Sequence, residues 1–212
     1  VSDTQKFDQI NLSINDISTY QTDKYWIAEG SKGLRSIQRK GSNSFEALNE
    51  PIILDGPYSN SAFDIVCKND KVYMIIGGKD LLNGKRFDKG GYILTYDYDK
   101  WSFIDPKEAQ KKLNLPRNPR DYTSIAVTTD DSNDEIVYAS SMGDGVIQYK
   151  NGTPVQSYNE KNAFKETAGG YGSGYCYIDG LAFDKNGNLW MTSSEVNHAV
   201  LVLDKAGAWH RL

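Results

Sequence analysis

Residues 178–193 read IDGLAFDKNGNLWMTS, and residues 199–209 continue the pattern as AVLVLDKAGAW. Short apolar runs alternate here with polar turns, one of which contains Asn186–Gly187. Asparagine followed by glycine is a strong hairpin signal, because both residues tolerate the positive φ that tight turns require. Apolar runs bounded by such turns are typical of buried strands. These residues therefore predict consecutive antiparallel strands joined by hairpins.

The same order of elements occurs four times along the chain. Each copy has an aromatic residue that we predict to end its second strand: Trp26, Tyr73, Tyr138 and Trp190. A repeat of roughly 50 residues with four short strands is typical of a β-propeller blade. A β-sandwich is the alternative, since it also spaces short strands with turns, but it leaves the fourfold order unexplained. The predicted fold is all-β, with about four propeller blades of four antiparallel strands each.

The blade limits are predicted at residues 1–50, 51–118, 119–165 and 166–212. Four blades are few for a propeller, and an open arc would expose two wide blade faces. Either the segment closes tightly on itself, or missing blades come from a parent chain or a second copy. We expect the second arrangement, a part of a larger propeller, in which exposed blade faces allow self-association.

One segment has the pattern of a helix. Asp105 is a candidate N-cap, Pro106 suits the first helical position, and Glu108 can complete a capping box. The helix is predicted to run through 109–115 and to end at Pro116. Because it occupies the extra length between the second and third blades, it is interpreted as an insertion.

Composition excludes some function classes. The chain has 212 residues and a formal net charge of −4, and its basic residues are scattered, with the densest group at 107–112. This distribution argues against a nucleic-acid partner. No apolar run approaches the roughly 20 residues that span a bilayer. Cys67 and Cys176 are predicted either to pair across a blade interface or to remain as two buried thiols.

Catalytic motifs are missing from the sequence. The glycine-rich segment 167–177 lacks the lysine and following helix of a phosphate-binding loop. His198 and His210 lack the spacing of zinc ligands, and there is no nucleophile elbow. We therefore predict a non-catalytic protein with no metal and no cofactor.

The strongest candidate ligand site is at the start of the fourth blade. In a propeller the inner-strand starts converge on the central channel, and tyrosine offers a flat ring and a hydroxyl that suit sugars and peptides. The alternative is that these tyrosines only pack between blades. The predicted ligand-binding residues are Tyr122, Tyr171, Tyr175, Tyr177 and Asp179, with Asp64 nearby.

Four motifs in the second half of the chain resemble the PorZ family, whose members are exported propeller proteins of the type IX secretion system. The motifs are DYTSIAV at 121–127, VYASSMGDGV at 137–146, GLAFD at 180–184 and NLWMT at 188–192. The resemblance implies a binding or scaffold module in the periplasm or at the outer cell surface. It would assist the sortase that attaches cargo to lipopolysaccharide. The implied partners are a glycan, lipopolysaccharide or peptide ligand and a protein of the secretion complex.

Two other resemblances give alternative functions. GNLW at 187–190 is similar to the core of two-component regulator propeller repeats in sensor ectodomains of Bacteroidetes, which implies a ligand-sensing ectodomain. Asp179–Gly180 followed by an apolar strand is similar to the gluconolactonase family, where such an aspartate is a catalytic metal ligand. The matching glutamate or asparagine of that family is not found in this sequence.

Overall fold

The computed structural model describes residues 14–29, 33–42, 44–53, 55–164, 174–194 and 196–212. The chain divides into two compact units, Val1–Gly56 and Pro57–Leu212. No helix in the described ranges is long and apolar enough to cross a membrane.

The first unit contains one four-stranded antiparallel sheet in the order β1-β2-β3-β4. A side-chain contact holds the segment after β4 against β3, because the Ser36 backbone N–H donates to Asn49 Oδ1 at 2.8 Å. The strands are β1 Asp16–Gln21, β2 Lys24–Ala28, β3 Leu34–Arg39 and β4 Phe45–Ala47.

The second unit contains the other strands of the described chain and one helix. The strands are β5 Ala62–Lys68, β6 Lys71–Ile76, β7 Ile93–Tyr96, β8 Trp101–Ile104, β9 Tyr122–Thr129, β10 Glu135–Gly143, β11 Gly145–Lys150, β12 Thr153–Tyr158, β13 Cys176–Phe183, β14 Leu189–Ser193, β15 Val200–Leu203 and β16 Trp209–Arg211. They form three antiparallel meanders, β5–β8, β9–β12 and β13–β16, of which the last two share backbone pairing between β10 and β13. The predicted fold of propeller blades with four antiparallel strands is confirmed. The blade limits stay a prediction.

The inner strands β5, β9 and β13 lie side by side through polar contacts. Asp64 Oδ2 accepts from the Ser124 hydroxyl at 3.1 Å and from the Ile125 N–H at 3.2 Å. The Ser124 hydroxyl in turn accepts from the Leu181 N–H at 3.2 Å. Inner strands of neighbouring blades are therefore connected through the half-buried Asp64 and the buried Ser124.

The four repeat aromatic residues lie within their second strands and do not end them, which corrects the prediction. Tyr73 has no exposed surface, whereas Trp190 is 39% exposed. Repeat position therefore does not fix burial. The indole N–H of Trp190 donates to the Asp184 carboxylate of the preceding turn at 3.0 Å, which holds the ring at the surface.

The helix α1 spans Pro106–Leu113. Its start agrees with the prediction, because the Asp105 carboxylate accepts from the Lys107 N–H at 2.9 Å. Its end does not: Asn114 adopts a left-handed conformation with φ 51° and terminates the helix before Pro116. Asparagine tolerates this conformation and so acts as the stop signal.

Cys67 and Cys176 do not form a disulfide with each other. Cys176 is buried, but Cys67 is exposed, which corrects the prediction of two buried thiols. Cys67 lies near the end of β5, where the strand leaves the core.

Candidate functional site

The candidate site lies where β9 and β13 begin. The segment 77–91, which connects β6 to β7, folds over this end as a hairpin closed by a bridge between Lys79 and Arg86. The loop therefore brings charged side chains of the second blade to the predicted tyrosines of the fourth blade.

Lys79 connects these elements. Its ammonium group donates to the Tyr177 hydroxyl at 2.6 Å and to Asp179 Oδ2 at 2.5 Å. The same nitrogen lies 5.0 Å from the centroid of the Tyr177 ring. The Lys79 side chain is 16% exposed and that of Asp179 is 35% exposed, so solvent reaches the carboxylate more readily than the ammonium.

The charge of Lys79 is stabilised in this position. Partial burial alone would lower the pKa of Lys79, but the hydrogen bonds to Asp179 and Tyr177 outweigh it and raise the pKa above its ordinary value. The group is therefore a permanent cation at neutral pH. It holds a tyrosine and a carboxylate that come from the same strand, two residues apart.

A buried carboxylate anchors the base of the loop. Asp121 has no exposed surface, and its two oxygens accept from the backbone N–H groups of Lys89 at 3.0 Å and Asp88 at 3.1 Å. Arg86 forms an ion pair with it at 3.6 Å. Burial raises the pKa of Asp121 above its ordinary value, although these donors act in the opposite direction.

Asp121 also has a positive φ of 47°, which is unusual for a residue other than glycine. Together with its buried hydrogen bonds, this conformation fixes the loop that carries Lys79. Fixed backbone of this kind is frequent at binding sites.

A cleft of about 440 Å³ is lined by Tyr175, which precedes Tyr177 by two positions at the start of β13. The Tyr175 ring, 8% exposed, lies against Gly143, where any β-carbon would approach it to 2.6 Å. Pro116 and Pro119 form part of one wall, and polar residues 159–161 form part of the other. The cleft therefore combines an aromatic surface with a polar rim.

An ion pair lines the cleft. Arg117 Nε donates to Asp144 Oδ1 at 2.8 Å, while Asp144 Oδ2 accepts from the Arg120 N–H at 3.1 Å. The Asp144 side chain is 15% exposed and that of Arg117 is 49% exposed. Because a guanidinium group has five N–H donors, Arg117 keeps donors that can reach a ligand in the cleft.

The structure separates the predicted site residues into two groups. Tyr175, Tyr177 and Asp179 lie together at the candidate site. Tyr122 is corrected: it has no exposed surface, and its hydroxyl bonds that of Tyr149 at 2.6 Å inside the core. It is a packing residue, as the alternative interpretation proposed. Tyr171 lies outside the described residues.

Asp64 lies in the inner strand β5, and its carboxylate is engaged by β9. Sequence reasoning did not find Lys79, Arg86, Arg117 or Asp144. For Lys79 and Arg86, the available sequence signal is the pair of glycines on each side of their loop, at 77–78 and 90–91.

Comparison with solved structures supports the fold. The chain is similar to PorZ of Porphyromonas gingivalis, a bacterial surface component of the type IX secretion system, with TM-score 0.61 and 23% identity. The match covers 94% of this chain but 26% of PorZ, so the chain spans about a quarter of that protein's length. At this identity the similarity shows the fold alone.

Two further structures match more weakly. One is the extracellular domain of a hybrid two-component system from B. thetaiotaomicron, with TM-score 0.42, 12% identity and coverage of 93% of this chain and 22% of that one. The other is an α-L-arabinofuranosidase from Clostridium thermocellum, with TM-score 0.39, 13% identity and coverage of 73% and 57%. No protein-family model and no curated protein sequence matches the chain.

Proposed function

We propose that this chain is a non-catalytic ligand-binding segment of a larger exported propeller protein. The proposed role is similar to that of the secretion accessory that assists sortase-linked surface attachment. The proposed location is the periplasm or the outer cell surface. The observation that carries the binding role is the contact of Lys79 with Tyr177 and Asp179, on the segment whose Tyr175 lines the cleft.

The chemistry of the site suits a polar, largely uncharged ligand. A carboxylate and a phenol hydroxyl both lie within hydrogen-bonding distance of one ammonium group, and Arg117 and Asp144 repeat the pairing of opposite charges in the cleft. Donors and acceptors close to an aromatic ring match the alternating hydroxyl groups and apolar faces of a sugar, or the amide groups of a peptide. A glycan or peptide ligand is therefore proposed.

The same geometry argues against the lactonase alternative. In that family the aspartate corresponding to Asp179 binds a metal ion. Here its carboxylate already faces a lysine ammonium at 2.5 Å, and a cation placed next to it would be repelled by that charge.

The proposal is tested by screening the protein on glycan and peptide arrays and measuring the best ligand by calorimetry. Tyr177→Phe removes one hydroxyl and Lys79→Met removes the ammonium. Each is expected to weaken binding about tenfold, because a buried hydrogen bond to a charged group is lost. Tyr98→Phe is the matched control, since Tyr98 is 65% exposed in the β7–β8 turn.

Binding that survives both site variants would contradict the proposed site, and failure to bind any glycan or peptide would contradict the proposed function. Melting curves show whether a loss of affinity reflects a loss of folding. Both variants should melt close to the wild type, since neither side chain belongs to the two apolar core clusters.

A further inference from the structure

The tip of the 77–91 loop exposes two adjacent leucines. Leu81 is 79% exposed and Leu82 is 97% exposed. Phe87, on the returning side of the loop, is 48% exposed. Single exposed apolar residues are common on protein surfaces, but three on one protruding loop mark a contact surface.

Four backbone N–H groups of this tip donate to side chains and carbonyl groups of the tip itself. Asp80 Oδ1 accepts from the Leu82 N–H at 2.8 Å, and the Asp80 carbonyl accepts from the Gly84 N–H at 2.7 Å. Asn83 Oδ1 accepts from the Lys85 N–H at 2.8 Å. The Asp80 N–H donates to the Lys85 carbonyl at 2.8 Å.

These internal hydrogen bonds lower the free-energy cost of moving the tip from water into lipid. Moving a backbone N–H group out of water costs free energy when it has no hydrogen-bond partner, and the cost is largest in lipid. Four donors of this turn keep their partners without water. The leucine tip can therefore leave water at a cost lower than that of an open loop.

Basic residues flank the leucines. Residues 77–91 contain four basic and two acidic residues, in a chain whose formal net charge is −4. Lys85 is exposed, and the Lys89 ammonium donates to the neutral hydroxyl of Ser61 at 2.8 Å. The positive charge of Lys89 is thus not cancelled by that hydrogen bond.

We propose that this tip docks reversibly on the anionic surface of a lipid bilayer. Leu81 and Leu82 enter the boundary between headgroups and acyl chains, and Lys85 and Lys89 contact the lipid phosphates. A bilayer fits a convex tip better than a protein surface does, because a protein would need a matching apolar pocket for two leucines on adjacent positions. Two side chains and a small positive charge give weak attachment, since stable anchoring requires stronger signals.

The test is co-flotation of the protein with large unilamellar vesicles. One set contains phosphatidylcholine and phosphatidylglycerol at about 3:1, and the other contains phosphatidylcholine only. The wild type is expected to float with the anionic vesicles and to be released by salt, which screens the lysines. The double variant Leu81→Ser/Leu82→Ser is expected to partition at least about tenfold less, because both apolar side chains are lost.

Two further variants separate the contributions. Lys85→Glu should reduce binding to the anionic vesicles more than it reduces binding to the neutral ones, because the introduced carboxylate is repelled by the net negative surface. Ile53→Ser is the matched control, since Ile53 is 76% exposed but lies in the other unit. In a Leu82→Trp variant, indole emission should shift to shorter wavelength with anionic vesicles.

Absence of wild-type flotation with anionic vesicles would overturn the proposal and favour a protein partner with an apolar pocket instead. Equal flotation of the double serine variant would overturn it as well. The soluble ligand proposed above is measured without lipid, so the failure of one proposal is distinguishable from the failure of the other.

Discussion

Two carboxylates, one in strand β13 and one directly after it, are satisfied in opposite ways. Asp184, directly after the strand, is held by its own turn: Oδ1 accepts from the N–H groups of Asn186 at 2.8 Å and Asn188 at 2.9 Å. Its Oδ2 accepts from the Asn188 amide at 2.8 Å and the Trp190 indole at 3.0 Å. Asp179, inside the strand, is held instead by Lys79, which is 100 positions away.

The difference in hydrogen bonding distinguishes a carboxylate that stabilises the fold from one that can bind a ligand. A carboxylate with four local donors stabilises one hairpin and has no acceptor capacity left for a ligand. A carboxylate held by one distant ammonium connects two blades, remains 35% exposed and keeps free lone pairs. The same residue type therefore builds the fold at one end of β13 and offers chemistry towards the other.

The largest expected effect is on the turn. Asp184→Ala removes the acceptor of four hydrogen bonds and leaves the Trp190 indole without its partner. We expect the melting temperature to fall by several degrees, measured by circular dichroism. Asp99→Ala, a substitution in the exposed β7–β8 turn, is the control and should change it little. A wild-type melting temperature in Asp184→Ala would show that the turn does not depend on its carboxylate.

Acid should reproduce part of this loss. The Trp190 indole, the Asn188 side chain and backbone N–H groups together lower the pKa of Asp184 below its ordinary value. A lowered folded-state pKa gives stability that is complete above the ordinary value of about 4. That stability is lost as the pH falls further towards the folded-state pKa.

The comparison variant is Asp184→Asn, which keeps one acceptor oxygen. Its amide NH2 group replaces the other oxygen and faces two donors in place of an acceptor. Its melting temperature should lie below that of the wild type at neutral pH, and the gap should close as the pH falls below about 4. A gap that stays constant from neutral pH to pH 3 would mean that the charge of Asp184 does not stabilise the turn.

Local patterns in the sequence were sufficient for the hairpins and the start of the helix. Asn186–Gly187 specifies its turn through residues within a few positions, and Asp105 specifies its helix start in the same way. The buried state of Tyr122 was missed for a different reason. Its partner, Tyr149, lies on β11, and the registers of β9 and β11 against β10 decide which side chains meet in the core.

Of the candidate site residues, the sequence predicted those at and near β13 but not those of the other segments. Tyr177 and Asp179 are two positions apart on β13 and so share one face of the strand; their place at a propeller channel stays a prediction. Lys79 was invisible because its role depends on the path of a loop fixed by Asp121, and nothing near Lys79 in the sequence records that contact. Long-range pairs of this kind require the structure.

The smallest expected effect is on the stability contributed by the long-range pair, and a double-mutant cycle measures it. Lys79→Met and Asp179→Asn are made singly and together, and unfolding is followed in urea. The coupling free energy should be below about 1 kcal/mol, since an ion pair that is partly exposed to solvent gains little over hydration. Asp179→Asn should cost the least, because the amide oxygen still accepts from Lys79. A coupling of several kcal/mol would mean that the pair builds the fold as Asp184 does, and the contrast between the two carboxylates of β13 would disappear.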